Sequence, residues 1–396
     1  MNMKTINEEF PTARRLAFFQ ASAISLLPHR AIEVMQSLTK AWRVDRDPEA
    51  MKRIMEFTDP CRSAGAKLIG AKVDEITYTS STTAGVNIFA SSLPWRQGDN
   101  IVVADLEYPS NVFPWYNQAQ LHRLNMKVVR SESGQVPLEK YQEAIDRKTK
   151  AVAVSHVQYI SGFRHDLSAL SQIAHDNGAY LFVDGIQSLG ALKIDVKELG
   201  VDAFASSGYK WLCAPMGTGL LYTREDLIEE LAPVHVGIES IPKSLRETLW
   251  ERIMTGLPLL DDKDYNIFCP SARRFQYGMP NLVGAAGLEA SVNLFLELGP
   301  ERIEQHIKQI TNYLVDGLEA KEITLITPKE WEMRAGIVTF KHTRPIRSEN
   351  EAKELEKYFA ENDVLLTIRG GCIRVACHLY NTKDDIDKLL RLLPVA

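Results

Sequence analysis

No stretch of this 396-residue chain approaches the ~18 consecutive apolar residues that a membrane-spanning helix needs, so no membrane partner is expected. The N-terminus, MNMKTINEEF, lacks the basic start and apolar centre of a secretory signal. The five cysteines (Cys61, Cys213, Cys269, Cys372 and Cys377) include no CxxC pair and no zinc-type spacing. An odd number of thiols without a signal points to a cytoplasmic protein. Neither sign of charge dominates: the formal net charge is −5, which gives no reason to expect nucleic acid. There is no GxxxxGK[ST] loop and no HExxH, and the nine histidines show no ligand spacing, so no metal is expected. A lone histidine such as His156 reads as structural. The GTG at 217–219 is half of a dinucleotide fingerprint and precedes a strand, which disfavours a nicotinamide oxidoreductase.

What is present is an alternating pattern. From about residue 70 to 225, short β-rich runs are followed by amphipathic stretches: NIVVADLEY (100–108), AVAVSHVQY (151–159), AYLFVDG (179–185) and AFASSGYK (203–210). Gly178 closes the helical LSALSQIAHDNG as a C-terminal cap. Apolar strands alternating with helices predict an α/β fold with a mostly parallel central sheet covered on both faces. Ligands of such sheets bind at the carboxyl ends of the strands, where Tyr108, Tyr159, Asp184 and Lys210 fall. Beyond about residue 280 the texture changes. Long helices are expected over 281–299 and from Glu301, then strands over 323–327, 336–342, 364–369 and 372–378, with a charged helix over 349–361. Thr382 and Asp385 make a capping box for a last helix. The expectation is a large domain over 1–280, whose extreme N-terminus packs on the other domain, and a small C-terminal α+β domain over 281–396.

Three features belong together. TSSTTAGVN (79–87) sets hydroxyls and a glycine between a strand and a helix, where free backbone N–H groups bind anions. Asp184 follows four apolar residues and should emerge at the functional edge of the sheet. Lys210 lies 26 residues later, close to one strand–helix–strand step, so both groups fit neighbouring strand ends. Burial and nearby cations turn a lysine into a nucleophile or base by lowering its pKa. An anion loop, a strand-end carboxylate and such a lysine are what pyridoxal 5'-phosphate requires.

The motifs STTAGVN, EYPSN, SHVQYISG, VDGIQ, SSGYK, YGMPN and IRVACHLYNT occur in this order along the chain. By them the sequence resembles the class V aminotransferase group of fold-type I pyridoxal-phosphate enzymes. That group includes cysteine desulfurases, C–S lyases, kynureninases and isopenicillin N epimerase-like proteins. The resemblance implies that Lys210 is the Schiff-base lysine and that Asp184 partners the pyridine nitrogen. It gives Gln187 the cofactor's phenolic oxygen and Tyr108 a stacking position on its ring. Thr83, Ser207 and Tyr209 become phosphate ligands, with backbone from Thr82. Gly278 and Met279 reach the phosphate of a second subunit, which implies a homodimer. Arg374 becomes the clamp on the α-carboxylate of an amino-acid substrate, its planar fork suiting a bidentate grip.

Departures from the desulfurase pattern bear on the reaction. SGYK replaces SGHK, and Tyr159 stands where an asparagine is usual. Only GGCI separates Arg369 from Arg374, where desulfurases carry a mobile loop with a catalytic cysteine. C–S lyase-like or aminotransferase-like activity is therefore expected. The alternatives are a desulfurase using Cys372, which shares a strand face with Arg374 by period two, or an epimerase. A catalytically inactive binding protein on the same fold is the reading from a different class.

Overall fold

The computed structural model describes residues 3–45, 48–49, 58–258 and 267–393. Strand β1 (Ala17–Phe18) pairs with a C-terminal strand, while the next seven form one sheet. These are β2 (Ile76–Thr79), β3 (Asn100–Ala104), β4 (Asn125–Val129), β5 (Thr149–Ser155), β6 (Tyr180–Asp184), β7 (Ala203–Ser207) and β8 (Gly219–Thr223), in the order β2-β8-β7-β6-β5-β3-β4. Only β8 runs against the others, pairing antiparallel with both β2 and β7. Alternation along the central strands divides two cores. Val102, Val152, Val154, Leu181 and Val183 pack on one face, and Ile101, Val103, Ala151, Ala153 and Phe182 on the other. Both faces are apolar because helices cover both, as expected for parallel strands.

The sheet lines up the ends of its strands. Ser155 sits beside Asp184 and Asp184 beside Ala205. Ser207 and Thr79 flank Gly219 from either side. A Cβ on Gly219 would come within 2.7 Å of the Ser206 carbonyl, so only glycine lets the three strands close at this edge.

The helices Leu282–Leu298 and Pro300–Glu319 lead into β9 (Ile337–Lys341), the helix Glu349–Glu361, β10 (Val364–Leu365), β11 (Thr367–Arg369), β12 (Cys372–Ala376) and the helix Lys383–Leu392. The Thr382–Asp385 capping box is formed. A three-stranded sheet, β11-β12-β9, covers a third core, while β10 pairs in parallel with β1. The N-terminal segment continues from β1 through a bridge between Gln20 and Ala376.

Three local expectations are corrected. Residues 323–327 form no regular strand: Ile326 and Thr327 both donate to the Thr339 carbonyl, a bulge that breaks the ladder. The run 364–369 is split between two sheets. No helix separates β6 from β7. Tight turns such as Ser188 N–H to Gly185 O fill that interval instead. Among the described residues no single helix is long and apolar enough to cross a membrane.

Candidate active site

Strand β7 ends at Ser207, and the chain turns sharply. The Gly208 N–H donates to Thr218 O, Cys213 N–H to Lys210 O and Ala214 N–H to Gly208 O. The turn holds Lys210 inside, 9% exposed, with Nζ 5.6 Å from the centroid of the Tyr108 ring and 5.8 Å from that of Tyr209. Burial is the main force lowering its pKa, assisted by the guanidinium groups of Arg374 and Arg369 and opposed by Asp184.

Asp184, 2% exposed, closes β6. Its Oδ1 accepts the Ile186 N–H at 2.9 Å, and burial, with the charge of Glu107, raises its pKa. Gln187 is oriented without ambiguity. The Trp211 indole N–H can only donate, at 2.9 Å to Oε1, and the Ser22 carbonyl can only accept, at 3.0 Å from Nε2. One Nε2 proton remains for a ligand.

The helix Thr82–Ser92 starts at the end of β2, with Ser81 capping Ala84 N–H at 3.1 Å. Thr82 and Ser207 are locked together. Their hydroxyls lie 3.0 Å apart, Thr82 N–H donates to Ser207 Oγ at 2.6 Å, and Ser207 N–H donates to Thr82 Oγ1 at 2.9 Å. Thr83, half-buried, follows on the first turn. Gly278 and Met279 line a cavity beside Ser80, Ala84 and Ile88 of the same chain, and Met279 is exposed.

Arg374 is 2% exposed on β12. Its acceptors are neutral: Thr367 Oγ1 at 3.0 Å and the Tyr159 carbonyl at 2.7 Å. Among the described residues no carboxylate pairs with it, and burial together with Arg369 lowers its pKa to about 10. Tyr159 also meets Tyr108 edge-on, with ring centroids 5.1 Å apart. Between β11 and β12 the chain reverses over Gly370 and Gly371, with φ of 57° and 71°. Two central residues at positive φ make the tightest kind of hairpin, with no room for a mobile loop. Cys372 is consequently a strand residue, half-buried, and burial raises its thiol pKa.

Two features were not read from the sequence. Glu107, 6% exposed, accepts from Ser155 N–H (2.8 Å), Ser155 Oγ (2.6 Å), Gln158 Nε2 (2.9 Å) and Asn111 Nδ2 (2.8 Å). Burial raises its pKa and these donors oppose that. Four converging donors suit an ionised carboxylate, which anchors the backbone beside Tyr108. Its position in EYPSN was the available signal. The other feature is the N-terminal segment, which holds Gln187 through Ser22 and Tyr209 through a 3.0 Å bond from Ser25 N–H to its carbonyl. Nothing local marks it. His156 is buried, and burial holds its pKa well below the ordinary value, so the ring is neutral.

The donor set suits pyridoxal phosphate. A helix N-terminus with paired hydroxyls can take a phosphate, and Asp184 Oδ2 makes no hydrogen bond among the described residues and can take a pyridinium proton. The face of Tyr108, 45% exposed, stands above a buried amine.

The sequence matches the family model for class V aminotransferases over residues 17–389. It is 29% identical to a probable cysteine desulfurase of Halalkalibacterium halodurans, over 99% of this chain and 97% of that protein. It is also 29% identical to the uncharacterized aminotransferase YcbU of Bacillus subtilis, over 85% and 82%. The apo structure of a cysteine desulfurase from Thermococcus onnurineus superposes with a TM-score of 0.84 at 25% identity, covering 98% of this chain and 96% of that one. The cystine C–S lyase C-DES, solved with cysteine persulfide, has the same fold, with a TM-score of 0.83 at 23% identity over 96% and 98%.

Proposed function

The chain belongs to the class V aminotransferases, fold-type I enzymes that use pyridoxal phosphate, and from that premise we propose that it acts at the α-carbon of a small amino acid. The observation carrying this reading is Arg374: a buried guanidinium with only neutral acceptors lacks the counter-charge that a substrate carboxylate brings. When bound, the cofactor supplies an electron sink for negative charge developing at the substrate's α-carbon. Lys210 Nζ would hold it, Asp184 would keep a proton at its ring nitrogen, and Tyr108 and Gln187 Nε2 would serve its ring face and its phenolic oxygen. Thr82, Thr83, Ser207 and Tyr209 would hold its phosphate, with Gly278 and Met279 contributed across a homodimer. Arg374 would orient the substrate, and the amine of Lys210, its pKa lowered by burial, would take the α-proton at Nζ once the substrate's amino group has displaced it from the cofactor.

The outcome is C–S lyase-like or aminotransferase-like. A desulfurase is the second reading, favoured by the names of the relatives. It needs a nucleophilic thiolate, whereas Cys372 stands on a tight hairpin with its thiol pKa raised. The enzyme is assigned to the cytoplasm, with a large domain over 1–280 and a small one over 281–396. The test is an absorbance spectrum of the purified protein, titrated with single amino acids. A visible band removed by borohydride and shifted by the substrate supports the reading. Pyruvate with sulfide then identifies elimination, and pyruvate without sulfide from alanine identifies transamination. No band after incubation with pyridoxal phosphate would refute it.

A further inference from the structure

A second cavity, of about 410 Å³, opens between the helices Leu138–Ala144 and Leu167–Asp176, the segment 163–166 and the turn Trp331–Met333. The volume lies in the range of small-molecule sites. One wall is apolar, made by Val136, Leu138, Phe163, Leu170 and Met333. The polar groups behind it are already satisfied. His165 donates from Nδ1 to the Ser155 carbonyl at 2.9 Å, so its Nε2 accepts from the Tyr141 hydroxyl at 3.1 Å. Arg164 is different. Among the described residues its guanidinium makes no hydrogen bond and no close ion pair. Burial is the main influence on it, and Glu304, Glu332 and Asp166 act only through space. A half-buried cation on a cavity wall, with no hydrogen-bond partner among the described residues, can take an anionic group. Glu139, Asp166 and Glu332, all exposed, give the same cavity an acidic rim; Asp166 Oδ1 also accepts the Ala169 N–H, and Glu332 lies 3.9 Å from Lys308 Nζ.

We propose that this cavity is a second small-molecule site, which takes a free amino acid with an apolar side chain. Its carboxylate meets Arg164, its ammonium faces the acidic rim, and its side chain lies on the apolar wall. The placement is independent of the catalytic reading. It does share a hairpin with that site: Val157 bridges Arg164 and Gln158 N–H donates to Phe163 O, so Tyr159 lies at the tip and Arg164 at the foot of one unit.

The test is calorimetric titration of the holoenzyme carrying Arg374→Ala, which removes the carboxylate grip proposed for the catalytic site, with L-leucine, L-methionine and L-phenylalanine. One site per chain is expected. Adding Arg164→Gln should weaken it at least about tenfold, the loss of a charge-assisted contact. Leu138→Trp, which fills the half-buried wall without touching the cation, should also remove it. Arg164→Gln alone should leave turnover unchanged. Absence of binding by all three amino acids at millimolar concentration would overturn the proposal. So would binding that survives both cavity variants.

Discussion

Arg374→Met removes the buried guanidinium while keeping most of its volume. Truncating one partner of a buried charged hydrogen-bonded pair costs about 2–5 kcal/mol. The expected fall in kcat/KM is therefore about 30-fold to several thousand-fold. Stability should behave differently. Methionine relieves the burial of a cation that has no hydrogen-bonded carboxylate partner among the described residues, and replacing buried charge by apolar volume is often neutral or stabilising. Against this, the Tyr159 carbonyl and the Thr367 hydroxyl each lose a donor, at about 1 kcal/mol each. The terms oppose, so the melting temperature should stay within a few degrees of the parent. Steady-state kinetics with the amino acid found by spectral titration, alongside thermal unfolding, reads both quantities. Arg374→Lys retains the charge but not the planar fork and should recover part of the loss. Unchanged kcat/KM in Arg374→Met would refute the carboxylate grip. An equal collapse of stability and activity would instead assign Arg374 a structural role.

Lys210→Ala should abolish turnover and the borohydride-sensitive band. In the parent apoprotein, pyridoxal-phosphate uptake should rise with pH and level off below the pH typical of an exposed lysine, because burial lowers the Lys210 pKa; retained turnover in Lys210→Ala would sink this assignment. Cys372→Ser should leave sulfide release from cysteine unchanged, since burial raises that thiol's pKa, and loss of release would revive the desulfurase reading. His175 donates to Asp202 at 2.9 Å, which raises its folded pKa above the unfolded value. Its stabilisation is complete below the unfolded pKa and is lost as pH rises through the folded one. His175→Gln should therefore lower the melting temperature more at pH 6 than at pH 8, and an equal drop at both would count against the pair.

Much of the candidate site was legible because its residues sit at strand ends that hydrophobic alternation marks. Asp184 after LFV and Lys210 after AFASS are examples. The cap at Thr382 was equally local. The bulge at Thr339 was not, because it depends on how two segments share one carbonyl. The division of 364–369 was hidden for a related reason: β10 takes its partner from residues 17–18, far away in the chain. Glu107 was passed over although its neighbour was singled out. Its four donors come from residues 111, 155 and 158 and converge only in the fold.

By itself the sequence determined the class of fold and the cofactor and marked the candidate site residues, because periodicity, strand-end position and ordered motifs are local properties. Tertiary structure decided what those side chains do to one another. Burial sets the amine of Lys210 against the carboxyl of Asp184, and the Gly370–Gly371 turn fixes Cys372 on a strand. Among the described residues, packing also leaves Arg374 and Arg164 without a hydrogen-bonded carboxylate partner. Desolvation and pairing depend on neighbours distant in the chain, and only the folded molecule brings those neighbours together.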